Sequence, residues 1–103
     1  MTDDFTGYYT LTDPELRVRY CQAASEQANL HMELAMVLSQ ERRAKVEGFV
    51  HSEETSVAGR EREADFHALE LTTTVFELRG QQAAKTEELN VLKMLLGVDD
   101  APS

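Results

Sequence analysis

The chain of 103 residues has no tryptophan, one cysteine, two prolines and five glycines. Each scarcity excludes something. A single cysteine, Cys21, permits no intramolecular disulfide and no multi-cysteine metal site within one chain. It lies beside an apolar helical stripe, so a small buried side chain is expected rather than a reactive thiol. Few prolines and glycines leave room for long uninterrupted helices. No run approaches the roughly 18 apolar residues of a membrane span. Met1-Thr2-Asp3-Asp4 is acidic and lacks the basic and apolar regions of a signal peptide. Basic residues are also scarce: ten Lys and Arg stand against 19 Asp and Glu, for a formal charge of −9. Most of this surface would repel a phosphate backbone, so nucleic acid is disfavoured as a partner, and a basic protein partner or a small ligand held in a local pocket fits better. The expected location is the cytoplasm, with no membrane association.

What is present is a helical pattern. Apolar residues make up 42% of the chain and charged residues 28%, as in a folded domain. One stripe reads Leu16, Tyr20, Ala23, Gln27, Leu30, Leu34, Val37, Glu41, Ala44. A second reads Ala64, Ala68, Leu71, Val75, Leu78, Gln82, Lys85, Leu89, Leu92, Leu96. Every step is three or four residues, the spacing that keeps one seam of a helix facing a partner. The pattern predicts an all-α, coiled-coil-like antiparallel two-helix hairpin.

The helix boundaries follow from local chemistry. Residues 1–11 are expected to be a flexible aromatic and acidic arm, since Phe5-Thr6-Gly7-Tyr8-Tyr9 has no helical period, with its aromatics packed on the protein's own body or a sister subunit rather than free for a partner. Thr12 with Glu15 forms a capping box, and Pro14 is tolerated in a first turn. The first helix should span 12–50, weakened near its end by Gly48. A polar turn over 51–56 follows, with Ser56 as N-cap of a second helix over 57–96. Gly59 and Gly80 should weaken that helix locally, Gly97 should end it, and 98–103 forms an acidic tail.

A turn centred near residue 54 pairs positions whose numbers add to about 108 or 109. Gln27 then meets Gln82 as an amide layer that fixes register. Lys85 meets Ala23, its stem on the seam and its amine in water. One hairpin cannot cover everything apolar. Phe66, Leu69, Thr73 and Phe76 form a further stripe, and the stretch around Met32 and Met36 is apolar nearly all round. A homodimer or higher oligomer joined through Met32, Met36, Phe66, Leu69 and Phe76 would cover them, as a four-helix bundle or larger assembly.

No chemistry-bearing motif emerges. The three histidines, His31, His51 and His67, lack the spacings of a zinc or di-iron site, and the glycines form no phosphate loop. The sequence implies no catalytic residue, no metal and no cofactor. The candidate partner contacts are the arm tyrosines Tyr8 and Tyr9 and the basic residues near the turn: Arg42, Arg43, Lys45, Arg60 and Arg62. Those five are half of all Lys and Arg, interleaved with acids.

Glu41-Arg-Arg-Ala-Lys-Val-Glu-Gly-Phe-Val, a short polar turn, and Thr55-Ser-Val-Ala-Gly-Arg-Glu-Arg-Glu-Ala64 carry a resemblance, completed by the leucine-rich close Leu89-Asn-Val-Leu-Lys-Met-Leu-Leu96. Over about residues 40–96 the chain resembles small helical-hairpin proteins of unknown function encoded by bacteriophages, particularly those of actinobacterial hosts. The resemblance implies an accessory role in phage replication or host takeover, inside the host cell. It supplies no catalytic residue. Acidic secreted hairpins of similar size carry Trp-x-Gly at the turn, and this chain has no Trp.

The leading expectation is a non-enzymatic, self-associating interaction module that binds and modulates a host or phage protein. The second is accessory binding of single-stranded nucleic acid in phage recombination or replication, with the turn cations as phosphate contacts. The third is an oligomeric sponge for a signalling nucleotide.

Overall fold

The computed structural model describes residues 5–97. It is all-helical, with no strand among the described residues. A short 3-10 helix at Thr6–Thr10 precedes α1 (Asp13–Val50), α2 (Val57–His67) and α3 (Leu69–Leu96). Residues 1–4 of the expected arm and the acidic tail 98–103 lie outside the described residues.

The termini form as the local chemistry dictates. The Thr12 amide donates to Glu15 Oε1 at 2.8 Å and the Glu15 amide donates back to Thr12 Oγ1 at 3.4 Å, closing the capping box. Ser56 is extended (φ −95°, ψ 150°), and its hydroxyl accepts from the Gly59 amide at 3.0 Å. Gly97 ends α3 in the left-handed region at φ 71°, where a glycine has no Cβ to clash.

Two expectations are corrected. The second helix is not continuous over 57–96: it is interrupted at Ala68, between α2 and α3, where neither glycine nor proline stands. Hydrogen bonds persist on both sides, from the Ala68 amide to Ala64 O and from the Thr72 amide to Ala68 O. Just beyond, Thr73 and Thr74 hydroxyls donate to the Leu69 and Glu70 carbonyls, each at 3.1 Å. Residues 5–11, expected to be an arm without helical period, instead hold the 3-10 helix at Thr6–Thr10, while Tyr8 and Leu11 pack on a buried cluster, as an aromatic arm packed on its own body requires.

The chain divides into two compact units. One is Met1–His31 with Gly80–Ser103, described over 5–31 and 80–97. Its core is Leu16, Ala23, Leu89 and Leu92, with Tyr20, Leu95 and Leu96 against it. The other is Met32–Arg79, with Leu34, Ala64, Ala68, Val75 and Leu78 buried. Every member of both seam stripes is buried or half-buried. Cys21, one step off the stripe, is exposed rather than buried.

Within each unit the facing segments pair low numbers with high, but not in the expected register. Gln27 Nε2 donates to Thr86 Oγ1 at 2.8 Å, and Gln82 Nε2 bonds His31 Nδ1 at 2.7 Å. In the other unit the Thr72 hydroxyl donates to Glu41 Oε2 at 2.6 Å. All three pairs add to 113, about one helical turn from the symmetric estimate. The Gln27–Gln82 layer therefore does not form. In the Met32–Arg79 unit, a Cβ at Gly48 would stand 2.9 Å from His67 Cβ and 3.0 Å from Ala64 Cα. Gly48 is thus a point of close approach between α1 and α2, which a turn treated as symmetric does not foresee.

Candidate functional site

Three features stand out: a buried carboxylate network, a cleft at the end of α1, and a set of uncovered apolar side chains.

The network belongs to the unit that contains both termini. Glu88, one step from the seam residue Leu89, is buried. Its Oε2 accepts from Arg19 Nη2 at 2.6 Å and Nε at 2.8 Å, and from the Tyr8 hydroxyl. Its Oε1 accepts from Lys85 Nζ at 2.8 Å, and Lys85 also reaches Glu26 at 2.7 Å. Lys85 thus ends on two carboxylates instead of reaching water opposite Ala23. Burial pushes the Glu88 carboxyl upward, but hydrogen bonds from Lys85, Tyr8 and Arg19 outweigh it and hold it at about 2. The hydrogen bond to Glu88 raises Arg19. Hydrogen bonds to Glu26 and then Glu88 raise Lys85. Burial, then Glu88, raises the Tyr8 phenol. Every member is charged or bonded to a partner, so the cluster offers no poised acid or base at neutral pH. Tyr8, a candidate partner contact, is engaged internally, whereas Tyr9 is exposed.

Sequence reasoning missed this network. Its signal was the Lys85–Glu88 spacing of three on the seam's edge. The partner Arg19 and the cap residue Tyr8 are distant in sequence.

The cleft lies in the Met32–Arg79 unit. It has a volume of about 740 Å³ and is lined by Glu47, Gly48, His51, Glu54, Gly59, Arg62, Glu63, Phe66 and His67. His67 Nε2 stands 3.0 Å from Glu47 Oε1. Among the described residues no group of three or more His, Cys, Asp or Glu is placed to hold a metal ion. The five cations near the turn do not all pair with the interleaved acids. Lys45 lies 3.8 Å from Asp65 and 4.0 Å from Glu41. Arg60 stacks over the Phe49 ring at 5.7 Å and donates to the Glu54 carbonyl. Arg62 lines the cleft, while Arg42 and Arg43 are exposed along a shallow groove with Val46, Glu47, Val50 and His51.

The apolar set is the most unusual feature. Phe66 is 78% exposed, Phe76 76%, Met32 67%, Met36 62% and Leu69 53%. All five lie in the Met32–Arg79 unit. Side chains of this size scattered singly need no explanation, whereas a contiguous apolar patch would. Among the described residues no helix is long and apolar enough to cross a membrane. Comparison with protein-family models, curated proteins and solved structures gives no match.

Proposed function

We propose that this chain is a non-enzymatic interaction module. In this reading it is an antiparallel helical hairpin that assembles with copies of itself into a four-helix bundle or larger helical oligomer. The assembly binds and modulates a host or phage protein in the bacterial cytoplasm. One observation carries the reading: Met32, Met36, Phe66, Leu69 and Phe76 are uncovered in a single chain although the helices could have carried polar residues there. Each would gain on the order of 1.5–3 kcal/mol if fully buried. Exposed tyrosine and arginine at Tyr9, Arg42 and Arg43 are side-chain types that anchor protein contacts.

The test is the mass of the full chain by light scattering at micromolar concentration, followed by capture of the tagged protein from a bacterial lysate. A multiple of 11.6 kDa with one stoichiometric bacterial or phage protein retained supports the reading. A monomeric mass overturns its self-association. The nucleic-acid reading is weaker, since Lys45 and Arg60 are already engaged within the chain. It predicts salt-sensitive binding of single-stranded DNA, and no binding at low salt would end it.

A further inference from the structure

Four-residue steps share one face of a helix. Glu47 and His51 stand so at the end of α1, where the His51 amide still donates to the Glu47 carbonyl at 3.0 Å. On α2, Gly59, Glu63 and His67 stand so, with Arg62 and Phe66 beside them. These residues and Glu54 of the connector enclose the cleft of about 740 Å³. Two glycines shape it. Gly48 lets His67 stand against α1, since a Cβ there would lie 2.9 Å from His67 Cβ. Gly59 is buried and lets the Glu54 carboxylate lie against the first turn of α2, since a Cβ there would lie 2.6 Å from Glu54 Oε1. The volume falls within the roughly 300–1,000 Å³ of clefts that hold ligands.

The lining is unbalanced in charge. Three carboxylates, Glu47, Glu54 and Glu63, stand against one guanidinium, that of Arg62. The other cations of α2 and the end of α1 are engaged elsewhere or lie outside the cleft. Lys45 lies between Glu41 and Asp65, and Arg60 stands over Phe49. Glu47 is met by His67, but among the described residues no cation pairs with Glu54 or Glu63. Phe66 adds a ring that is 78% exposed and lines the same cleft. A ring face close to carboxylates favours a cation. The same unit shows this chemistry occupied once already: Arg60 stands 5.7 Å over the Phe49 ring and donates to the Glu54 carbonyl at 3.0 Å. The cleft repeats the ring and the glutamate oxygens, with no guanidinium over the ring among the described residues. No three of its His and Glu side chains converge for a metal ion, so the cation that suits the lining is an organic one.

We propose that this cleft binds an organic cation, a guanidinium or ammonium group on an aliphatic stem. The charged end meets Glu54 and Glu63, and the Phe66 ring covers it from the side of α2. An anion would meet three carboxylates, and a neutral ligand would cover Glu54 and Glu63 without pairing them, which is costly. Two sources offer the same group: a lysine or arginine of a basic protein segment, and a free polyamine. The first rests on the interaction-module reading above and names the chemistry of its partner. The cleft itself is complete within one chain and does not depend on self-association.

The experiment titrates the full chain at low ionic strength with two probes, an acetylated Gly-Arg-Gly-Arg-Gly amide and spermidine, by calorimetry and by NMR of the histidine rings. Saturable binding is expected. The ring protons of His51 and His67 should shift, while His31, outside the cleft, should not. Glu54→Gln with Glu63→Gln should weaken binding about fivefold or more. Phe66→Leu keeps an apolar side chain without a ring face, and should weaken it about two- to fivefold. Glu33→Gln with Glu77→Gln removes the same charge away from the cleft and should leave affinity within about twofold. Circular dichroism checks that each variant is as helical as wild type. Tighter binding of the peptide supports a basic protein segment as the source, and tighter binding of spermidine supports a free polyamine. No saturable binding of either probe, an unchanged affinity in either cleft variant, or an equal loss in the Glu33 and Glu77 variant would overturn the proposal. A monomeric mass would end self-association and leave these titrations unaffected, so the two readings fail separately.

Discussion

Arg19 grips Glu88 across the interior of its unit, with Nη2 at 2.6 Å and Nε at 2.8 Å from the same carboxylate oxygen. The two residues are 69 positions apart, so the contact ties the start of α1 to the end of α3. It also fixes the segment before α1, because the Tyr8 hydroxyl donates to that carboxylate and itself accepts from Arg19 Nε at 3.1 Å. A buried carboxylate with three cationic or hydroxyl donors is fully satisfied, which is the condition for such a group to be tolerated inside a protein.

Removing Glu88 should therefore destabilise the fold strongly. Breaking a buried ion pair by deleting one partner costs about 3–5 kcal/mol. Arg19 and Lys85 are partly exposed, which places Glu88→Gln towards the lower end. Adding Arg19→Gln to Glu88→Gln should cost less than the separate changes added together, because the second removes a cation already left without its partner. Chemical denaturation of the four proteins in that cycle measures the coupling, and strict additivity would show that the pair contributes nothing.

The same network gives the stability an acid limb. The folded chain holds Glu88 at about 2 against the usual 4.5, so between those values the unfolded chain binds more protons than the folded one. The stabilisation is complete above the ordinary carboxylate range and is lost as the pH falls through 2, by about 3 kcal/mol in total. Glu26, lowered by its hydrogen bond from Lys85, acts in the same direction. Melting temperature followed from pH 7 into acid at fixed protein concentration checks this, and Glu88→Gln should flatten the limb.

The seam was legible because helical periodicity is a local property. Leu16, Ala23, Leu34, Val75, Leu78, Leu89 and Leu92 are all buried as their spacing requires. Caps were legible for the same reason, since Thr12 with Glu15 and Ser56 with Gly59 act within one turn. Register was not, because it depends on how segments distant in sequence meet, which no local pattern encodes. The Glu88 network escaped the sequence for a related reason. Its members come from three segments, and Glu88 lies one step off an apolar stripe, where an acid reads as solvent-facing. The interruption at Ala68 had no glycine or proline to announce it. The basic cluster was read correctly as a concentration of charge, but its members split between internal partners and solvent.

Ser56→Ala tests the cap that starts α2. The hydroxyl is the acceptor for the Gly59 amide at 3.0 Å, and losing an N-cap side chain costs about 1 kcal/mol. For a domain of this size that is a fall in Tm of about 4–8 °C. Ser56→Asp, which keeps an acceptor and suits the helix dipole, should hold the wild-type value. An equal loss in both variants would show that the cap is not what matters at this position.

Gly48 and Gly80 separate helix propensity from packing, since both lie within helices and propensity alone predicts the same gain for both. Replacing an interior glycine by alanine favours a helix by about 1 kcal/mol. Nothing lies within 4 Å of a Cβ built at Gly80, so Gly80→Ala should stabilise the fold by that amount and raise Tm by about 4–8 °C. At Gly48 the new methyl would meet the Ala64 backbone at 3.0 Å and the His67 Cβ at 2.9 Å, neither the far end of a flexible side chain. Overpacking of this kind costs about 1–3 kcal/mol, enough to cancel the propensity gain or exceed it. Gly48→Ala should therefore leave Tm unchanged or lower it, and Gly48→Leu should lower it clearly. Thermal melts of the three variants at one concentration decide the matter. A rise in Gly48→Ala equal to that in Gly80→Ala would show that α1 and α2 do not approach at Gly48 in solution.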